Sequence, residues 1–286
     1  MTTFNELYLT TRRKLRDVSH GAHDLEARLI VAHAAGKTRE ELVNSSKFFV
    51  TDSAIINSVN DMVRRRIEGE PVAYLVGEWE FYGLPMYVNS DVLIPRVDTE
   101  VLAEAAINIM KKRGGNTRLL DLCAGSGCVG IAIAANVPDC RVILADNSEK
   151  ALAVCRANMI RNHISRNVTP IDADALGSPP TLLGTFDAIV CNPPYIPTED
   201  IKDLDVSVRN YEPMVALDGG ADGLKFFRAI AANWTAMLKK GGNILFECGV
   251  GQKAAVCEIL EENGFRKIEV HRDTLNIERV VVGTLR

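Results

Sequence analysis

No stretch of this 286-residue chain is apolar for long enough to cross a bilayer as a helix. The amino terminus, Met1-Thr2-Thr3-Phe4-Asn5-Glu6, lacks the basic-then-apolar order of a secretion signal, so a cytoplasmic location is expected. Basic charge is not in surplus. Thirty-three Lys and Arg against 37 Asp and Glu leave a net charge of −4, which argues against a general nucleic-acid binder. The short basic clusters, such as Arg64-Arg65-Arg66 and Lys111-Lys112-Arg113, fall near expected helix ends and read as solvated faces. Metal-binding patterns are missing as well. Seven cysteines form no C-x-x-C pair and five histidines form no H-E-x-x-H, so no metal site is expected. The thiols are expected to be reduced and mostly buried.

What is present divides into two halves. Residues 1–70 read almost wholly as helix, with a capping box at Thr38-x-x-Glu41 and Ser53 placed to cap an apolar-periodic helix that stops at Gly69. Residues 71–97 are aromatic and punctuated by glycine, which predicts a hairpin linking segment; Trp79, Phe81 and Tyr82 are expected in a core between domains. From 98 to 286 helix and strand alternate. Strands are predicted at 118–123, 141–145, 168–171, 186–191, 243–248, 267–271 and 279–282, and helices at 127–136, 148–161, 223–238 and 251–262. That alternation predicts an α/β fold, a mainly parallel sheet covered on both faces, with an antiparallel strand last. The segment 196–221 is long, acidic and irregular, and reads as a functional loop.

Two motifs carry chemistry. Gly125-Ser126-Gly127-Cys128-Val129-Gly130 follows a strand and opens a helix, and Asp146 ends the next strand, which is the layout of a dinucleotide-binding turn. Asp121, however, lies at the end of the first strand, where a carboxylate suits a cationic group better than a pyrophosphate. The second motif is Asn192-Pro193-Pro194-Tyr195, directly after the apolar run 186–191. Prolines fix φ and donate no hydrogen bond, so the tetrapeptide makes a stiff surface of acceptors beside an aromatic ring. Such a surface suits a planar –NH₂ group, whose two hydrogens need two acceptors; a strand followed by a proline-rich turn is the plain alternative.

Taken in order, Leu120-Asp121-Leu122-Cys123-Ala124-Gly125-Ser126-Gly127, Asp146 and Asn192–Tyr195 resemble the class I S-adenosylmethionine-dependent methyltransferases. With Gly69-Glu70-Pro71, Glu80-Phe81-Tyr82-Gly83, Leu93–Glu100, Glu212-Pro213 and Asp218–Gly223, nearly the whole chain is similar to the peptide chain release factor glutamine methyltransferases, the PrmC/HemK family. The departures are Cys123 for a glycine, Val97 for a second proline and Cys248 in a Glu-Ile-Gly triplet.

The resemblance implies a Rossmann-like seven-stranded methyltransferase sheet with a small helical amino-terminal domain that recognises the substrate. It implies S-adenosyl-L-methionine as cofactor and methyl transfer to the side-chain amide nitrogen of glutamine in the Gly-Gly-Gln motif of release factors. Asn192, Pro193, Pro194 and Tyr195 would be catalytic. The cofactor would be held by residues 123–127 (Cys123, Ala124, Gly125, Ser126, Gly127), with Asp121 at its methionine end, Asp146 at the ribose, Asp174 and Ala175 at the adenine, and Asn192 nearby. Read as residues alone, Asp146 also suits a helix cap, Asp174 a solvated loop and Asp121 a backbone acceptor within the glycine turn. A monomer is expected, with no membrane and no direct nucleic-acid requirement. A ribosomal-protein glutamine and the amino group of adenine in nucleic acid remain alternative acceptors.

Overall fold

The computed structural model describes residues 2–19 and 21–286. The chain forms two compact units, one of Met1–Glu78 with Asp205–Tyr211, the other of Trp79–Leu204 with Glu212–Arg286.

The first unit is helical: α1 (Phe4–Leu15), α2 (His23–Ala34), α3 (Arg39–Asn44), α4 (Ser53–Ile67) and the short α5 (Val72–Val76). Capping sets its boundaries. Thr38 and Glu41 form the expected reciprocal box, and Thr3 with Glu6 forms another. At α4 the cap is Asp52, one residue before the expected Ser53, its carboxylate accepting from the Ala54 N–H at 2.8 Å. Either side chain can cap; the carboxylate on the extended residue wins because it also meets the positive helix end. The segment 205–211 folds as a further helix and belongs to this unit: Tyr211 donates to the Glu68 carbonyl at 3.2 Å, and a methyl group on Gly69 would lie 3.1 Å from Val206.

The second unit opens with a hairpin, β1 (Glu78–Phe81) and β2 (Leu84–Tyr87), turned by Tyr82 and Gly83, both at positive φ as a tight hairpin turn requires. Phe81 is 1 % exposed and packs with Met86 into the core of this unit, rather than into a core shared between domains. Then follow α6 (Glu100–Arg113), β3 (Thr117–Leu122), α7 (Cys128–Asn136), β4 (Cys140–Asp146), α8 (Glu149–Arg161), β5 (Val168–Asp172) and β6 (Phe186–Cys191). Residues 196–221 are not irregular; they wind into short helical turns at Thr198–Asp203 and Met214–Ala216, with α9 (Val206–Tyr211) between them. The chain closes with α10 (Lys225–Asn233), β7 (Leu238–Glu247), α11 (Lys253–Glu262), β8 (Phe265–Arg272) and β9 (Glu278–Leu285).

The sheet order is β5-β4-β3-β6-β7-β9-β8, parallel except for β9, which inserts antiparallel between β7 and β8. Residues alternate along each strand between two apolar layers. Leu119, Ala188 and Val190 face one with α6, α7 and α8; Leu120, Leu122, Ile189 and Cys191 face the other with α10 and α11. The strand order reverses between β3 and β6, whose ends pair as Leu122 with Cys191. That reversal opens a crevice at the carboxyl ends of the two strands, and both chemical motifs follow them directly.

Close approach of α7 to the sheet depends on the last glycine of the loop motif. A Cβ on Gly130 would lie 2.3 Å from Leu144 and 3.0 Å from both Val142 and the Asp121 carboxylate. Gly130→Ala gains about 1 kcal/mol of helix propensity but overpacks this contact by about 1–3 kcal/mol. A net loss of stability is expected, seen as a lower urea midpoint with an unchanged slope; a variant more stable than the parent would show that the interlock is loose.

Candidate functional site

The turn after β3 is built from backbone that ordinary residues avoid. Gly125 and Gly127 lie at φ +54° and +79°, and Cys123 joins them at +58° without being glycine. A left-handed Cys costs about 1–2 kcal/mol, which a small side chain packed at the sheet's end offsets in part. Ala124 donates to the Ala145 carbonyl at 3.1 Å, and Gly127 to Ala124 at 2.7 Å, which closes the turn at the start of α7.

Two carboxylates pin this turn. Asp146, at the end of β4, accepts from the Gly125 N–H at 2.9 Å and from the Ser148 N–H at 2.9 Å. Ser148 in turn caps α8 by accepting from Ala151, so the capping role is shared. Asp121, 2 % exposed, accepts from the Gly130 N–H at 2.8 Å. Burial raises both acids; Asp121 is pushed up to about 7, against the bond from Gly130 and with help from the nearby Asp146 charge. Asp121 is thus both a backbone acceptor and a carboxylate at the wall of a cavity.

That cavity, of about 360 Å³, lies over the ends of β3 and β6. Asp121, Cys123, Ala124, Gly125, Ser126, Asp146, Asp174, Ala175, Asn192 and Pro194 line it. Gly127 does not, and serves the turn instead. Asp174 is exposed and folds back on the Leu176 N–H at 2.9 Å, while Ala175 is buried, its carbonyl accepting from Trp234. The reading of motifs left out further lining residues, notably Thr99, Arg96, Leu176, Met214 and Phe226. Arg96 and Thr99 lie within the Leu93–Glu100 stretch and Leu176 directly follows Ala175, whereas Met214 comes from a 3₁₀ turn and Phe226 from α10.

Asn192 sits half-buried at the end of β6, with its Nδ2 donating to the Thr99 hydroxyl at 3.3 Å. Among the described residues, no donor reaches the Asn192 Oδ1 or the Pro193 carbonyl. Pro193 is buried and does not line the cavity, and neither does Tyr195, whose ring lies against Gly249. The stretch is clamped from behind. Gln252 donates to the Tyr195 carbonyl at 2.8 Å and accepts from Gly249 at 2.9 Å. Ile196 exchanges backbone bonds with Leu217 and Gly219. Side chains on Gly219 or Gly223 would collide with the Tyr195 backbone at 2.8 and 2.3 Å, so these two glycines permit the contact. Glu212 holds the other wall, accepting from the Ile94 N–H at 3.1 Å and pairing with Arg96. Asp98, just ahead of α6, pairs with Arg279 at 2.9 Å.

No group of side chains among the described residues is arranged to hold a metal ion, and all seven cysteines are free thiols. Burial pushes Cys128 up to about 12, and Cys155 and Cys191 also far up, so none of these three is a ready nucleophile. No helix among the described residues is long and apolar enough to cross a membrane.

Comparison with known proteins agrees with this geometry. Residues 97–208 match the methyltransferase small domain, and residues 6–77 the PrmC N-terminal domain. The release factor glutamine methyltransferase of Thermodesulfovibrio yellowstonii is 37% identical over 90% of this chain and 91% of its own. That of Caulobacter vibrioides is 34% identical over 98% and 96%. A methyltransferase structure from Pyrococcus furiosus, 17% identical, superposes with a TM-score of 0.52 over 79% of this chain and 98% of its own, a likeness of fold alone. With a glycine turn pinned by two carboxylates, a donor-poor tetrapeptide beside the cavity and relatives matched over nine-tenths or more of both chains, the chain belongs to the release factor glutamine methyltransferase family.

Proposed function

We propose that this protein methylates the side-chain amide nitrogen of the glutamine in the Gly-Gly-Gln motif of peptide chain release factors, using S-adenosyl-L-methionine. The observation that carries the reading is a pair of acceptors that no donor reaches among the described residues, Asn192 Oδ1 and the Pro193 carbonyl, in the stretch whose Asn192 and Pro194 line the cavity. A primary amide presents two N–H donors on a planar nitrogen. Two acceptors held by rigid backbone would bind both hydrogens and fix the nitrogen's direction, so its otherwise delocalised lone pair is aimed rather than free. As that nitrogen gains positive charge, its N–H groups donate more strongly to the same two oxygens, which favours the transition state over the ground state. Pro194 shapes the cavity wall, and Tyr195 is a packing anchor beneath the acceptors.

The cavity residues fit the cofactor. Bound there, S-adenosylmethionine would supply an electrophilic methyl group on a sulfonium centre. Asp121 would face its cationic methionine end, Asp146 its ribose hydroxyls and Asp174 with Ala175 its adenine edge. The support is chemical: two carboxylates on the wall, Asp121 buried and Asp146 partly so, both raised in pKa by burial. The helical unit, a separate compact body with Phe48 and Phe49 exposed by 67% and 56%, would supply contacts with the folded release factor. The protein would act as a cytoplasmic monomer, with no need for nucleic acid.

Asn192→Ala should lower turnover of purified release factor at least a hundredfold while changing S-adenosylmethionine affinity less than threefold, by analogy with loss of an oriented donor or acceptor at a reacting centre, about 10²–10³. Labelled cofactor offered to release factor, ribosomal protein and nucleic acid side by side reads the acceptor; label on nucleic acid alone would replace the substrate.

Asp121, neutral below about pH 7, becomes a carboxylate above it. Only the charged form attracts a cation, so cofactor affinity should rise as pH climbs through about 7, with proton release detectable by calorimetry in two buffers. Asp121→Asn should flatten that rise; an equally steep profile in the variant would remove Asp121 from the methionine end.

Replacing Phe48 and Phe49 with Ser together should raise KM for intact release factor several-fold, by roughly the loss of one or two interface anchors. S-adenosylmethionine affinity should not change. An unaltered KM would release the helical unit from substrate contact.

A further inference from the structure

Along β3 the side chains alternate: Leu119 faces the layer with α6 and α7, while Leu120 and Leu122 face the layer with α10 and α11. By that alternation Cys123 should return to the first layer. Its left-handed φ of +58° breaks the pattern, and its side chain packs against the second layer, which also holds Cys191. Leu122 stands opposite Cys191 in the pairing of β3 with β6. Neighbouring strands lie about 4.8 Å apart and each residue advances about 3.3 Å, which puts the Cα atoms of Cys123 and Cys191 about 6 Å apart. A disulfide spans Cα separations of about 4.4–6.8 Å.

The register favours no other strand thiol for Cys191. Phe246 is its partner on β7, so Cys248 lies two residues further on, about 8 Å away and beyond a disulfide's span. Cys128, Cys140 and Cys155 belong to the opposite layer. The two thiols of the pair differ in access. Cys123 is half-buried and lines the cavity, whereas Cys191 is 0 % exposed. Burial, and then the Cys123 thiol beside it, holds Cys191 far above the usual thiol range. An oxidant arriving from solvent therefore meets Cys123, and Cys191 reacts only with a neighbour already activated.

We propose that Cys123 and Cys191 are a modification site, a thiol pair that a hydroperoxide oxidises to a reversible disulfide and so closes the cavity to S-adenosylmethionine. The effect on cofactor rests on reading the cavity as the cofactor's; the crosslink itself does not. In the first step the Cys123 sulfur attacks the peroxide O–O bond. An S–O bond forms, the O–O bond breaks, the sulfur is oxidised to a sulfenic acid and the other oxygen leaves as water. Cys191 sulfur then displaces that hydroxyl, the S–S bond forms, and its thiol proton leaves with the hydroxyl as a second water. Two thiols and one peroxide thus give one disulfide and two waters, and an added dithiol reverses the change by exchange. Forming the bond draws Cys123 toward the apolar layer and off the cavity wall. Its neighbour Ala124 closes the glycine turn, donating to Ala145 at 3.1 Å and accepting from Gly127 at 2.7 Å, so the turn moves with it. Asn192 directly follows Cys191, so the crosslink ties the two chemical motifs together. Because a bound cofactor would cover Cys123, cofactor and disulfide should oppose each other reciprocally.

The test treats the reduced full-length protein with hydrogen peroxide, caps the remaining thiols with N-ethylmaleimide and maps crosslinked peptides by mass spectrometry. A Cys123–Cys191 peptide should dominate and vanish on adding dithiothreitol. Saturating S-adenosylmethionine should slow its formation by about tenfold, and the oxidised protein should bind the cofactor about tenfold more weakly, a coupling of ordinary size. Cys191→Ala, checked by melting temperature, should stop at a Cys123 sulfenic acid that dimedone traps. The map of the parent protein decides the pairing even where that variant folds poorly. Both thiols capped after oxidation, or Cys191 joined to Cys248 or Cys257 instead, would overturn the pair. A crosslinked protein that binds cofactor within twofold of the reduced form would overturn the closure. If the reduced protein itself binds no S-adenosylmethionine, the cofactor reading of the cavity fails and the closure with it, while the peptide map still judges the crosslink.

Discussion

Proline has no N–H to give, and two in succession at the end of β6 leave a backbone that can accept but hardly donate. The rest of the catalytic unit is arranged around that constraint. A stretch so poor in donors makes few bonds of its own, so it must be fixed by its neighbours. Gln252 from the start of α11, the Ile196 bridge to residues 217–219 and the bare backbones of Gly219 and Gly223 supply that fixation. Each reaches the tetrapeptide from behind and leaves its forward acceptors unused.

The parallel sheet adds a second theme. Its strands end together at one edge, and three of them finish with a buried or partly buried carboxylate within two residues of that edge: Asp121 on β3, Asp146 on β4 and Glu247 on β7. The first two accept from backbone that shapes the site, Asp121 from Gly130 and Asp146 from Gly125 and Ser148. Keeping negative charge in so dry a place is unfavourable to the isolated fold. It is justified where a cation is to be bound.

Much of this was legible in the residues and some was not. The strands, the glycine turn and the tetrapeptide announce themselves because their signals are local: apolar runs, left-handed glycines, fixed prolines. The acidic segment 196–221 looked irregular because its helical turns are each too short for a periodic signal, and α9 owes its helix to packing within the helical unit. Phe81 was placed in the wrong core because aromatic content does not say which body an aromatic joins. Asp98 sits where a cap would be, but Arg279, some 180 residues on, takes its carboxylate; long-range pairing leaves no local trace. The Thr99 contact with Asn192 was hidden for the same reason.

The excursion of residues 205–211 has a consequence for how such a chain can be taken apart. Its helical unit is not a bead on a string, since the polypeptide leaves the catalytic unit after Leu204 and returns at Glu212. Glu212, the first residue back, is the one that grips Ile94 and Arg96 at the cavity wall. A cut after Glu78 would therefore yield neither a whole amino-terminal body nor a clean catalytic one, and a graft of residues 1–78 onto another methyltransferase would arrive missing a piece. In genetic terms the two bodies are interleaved, so they can be exchanged between relatives only when the loop after the tetrapeptide travels with the amino terminus.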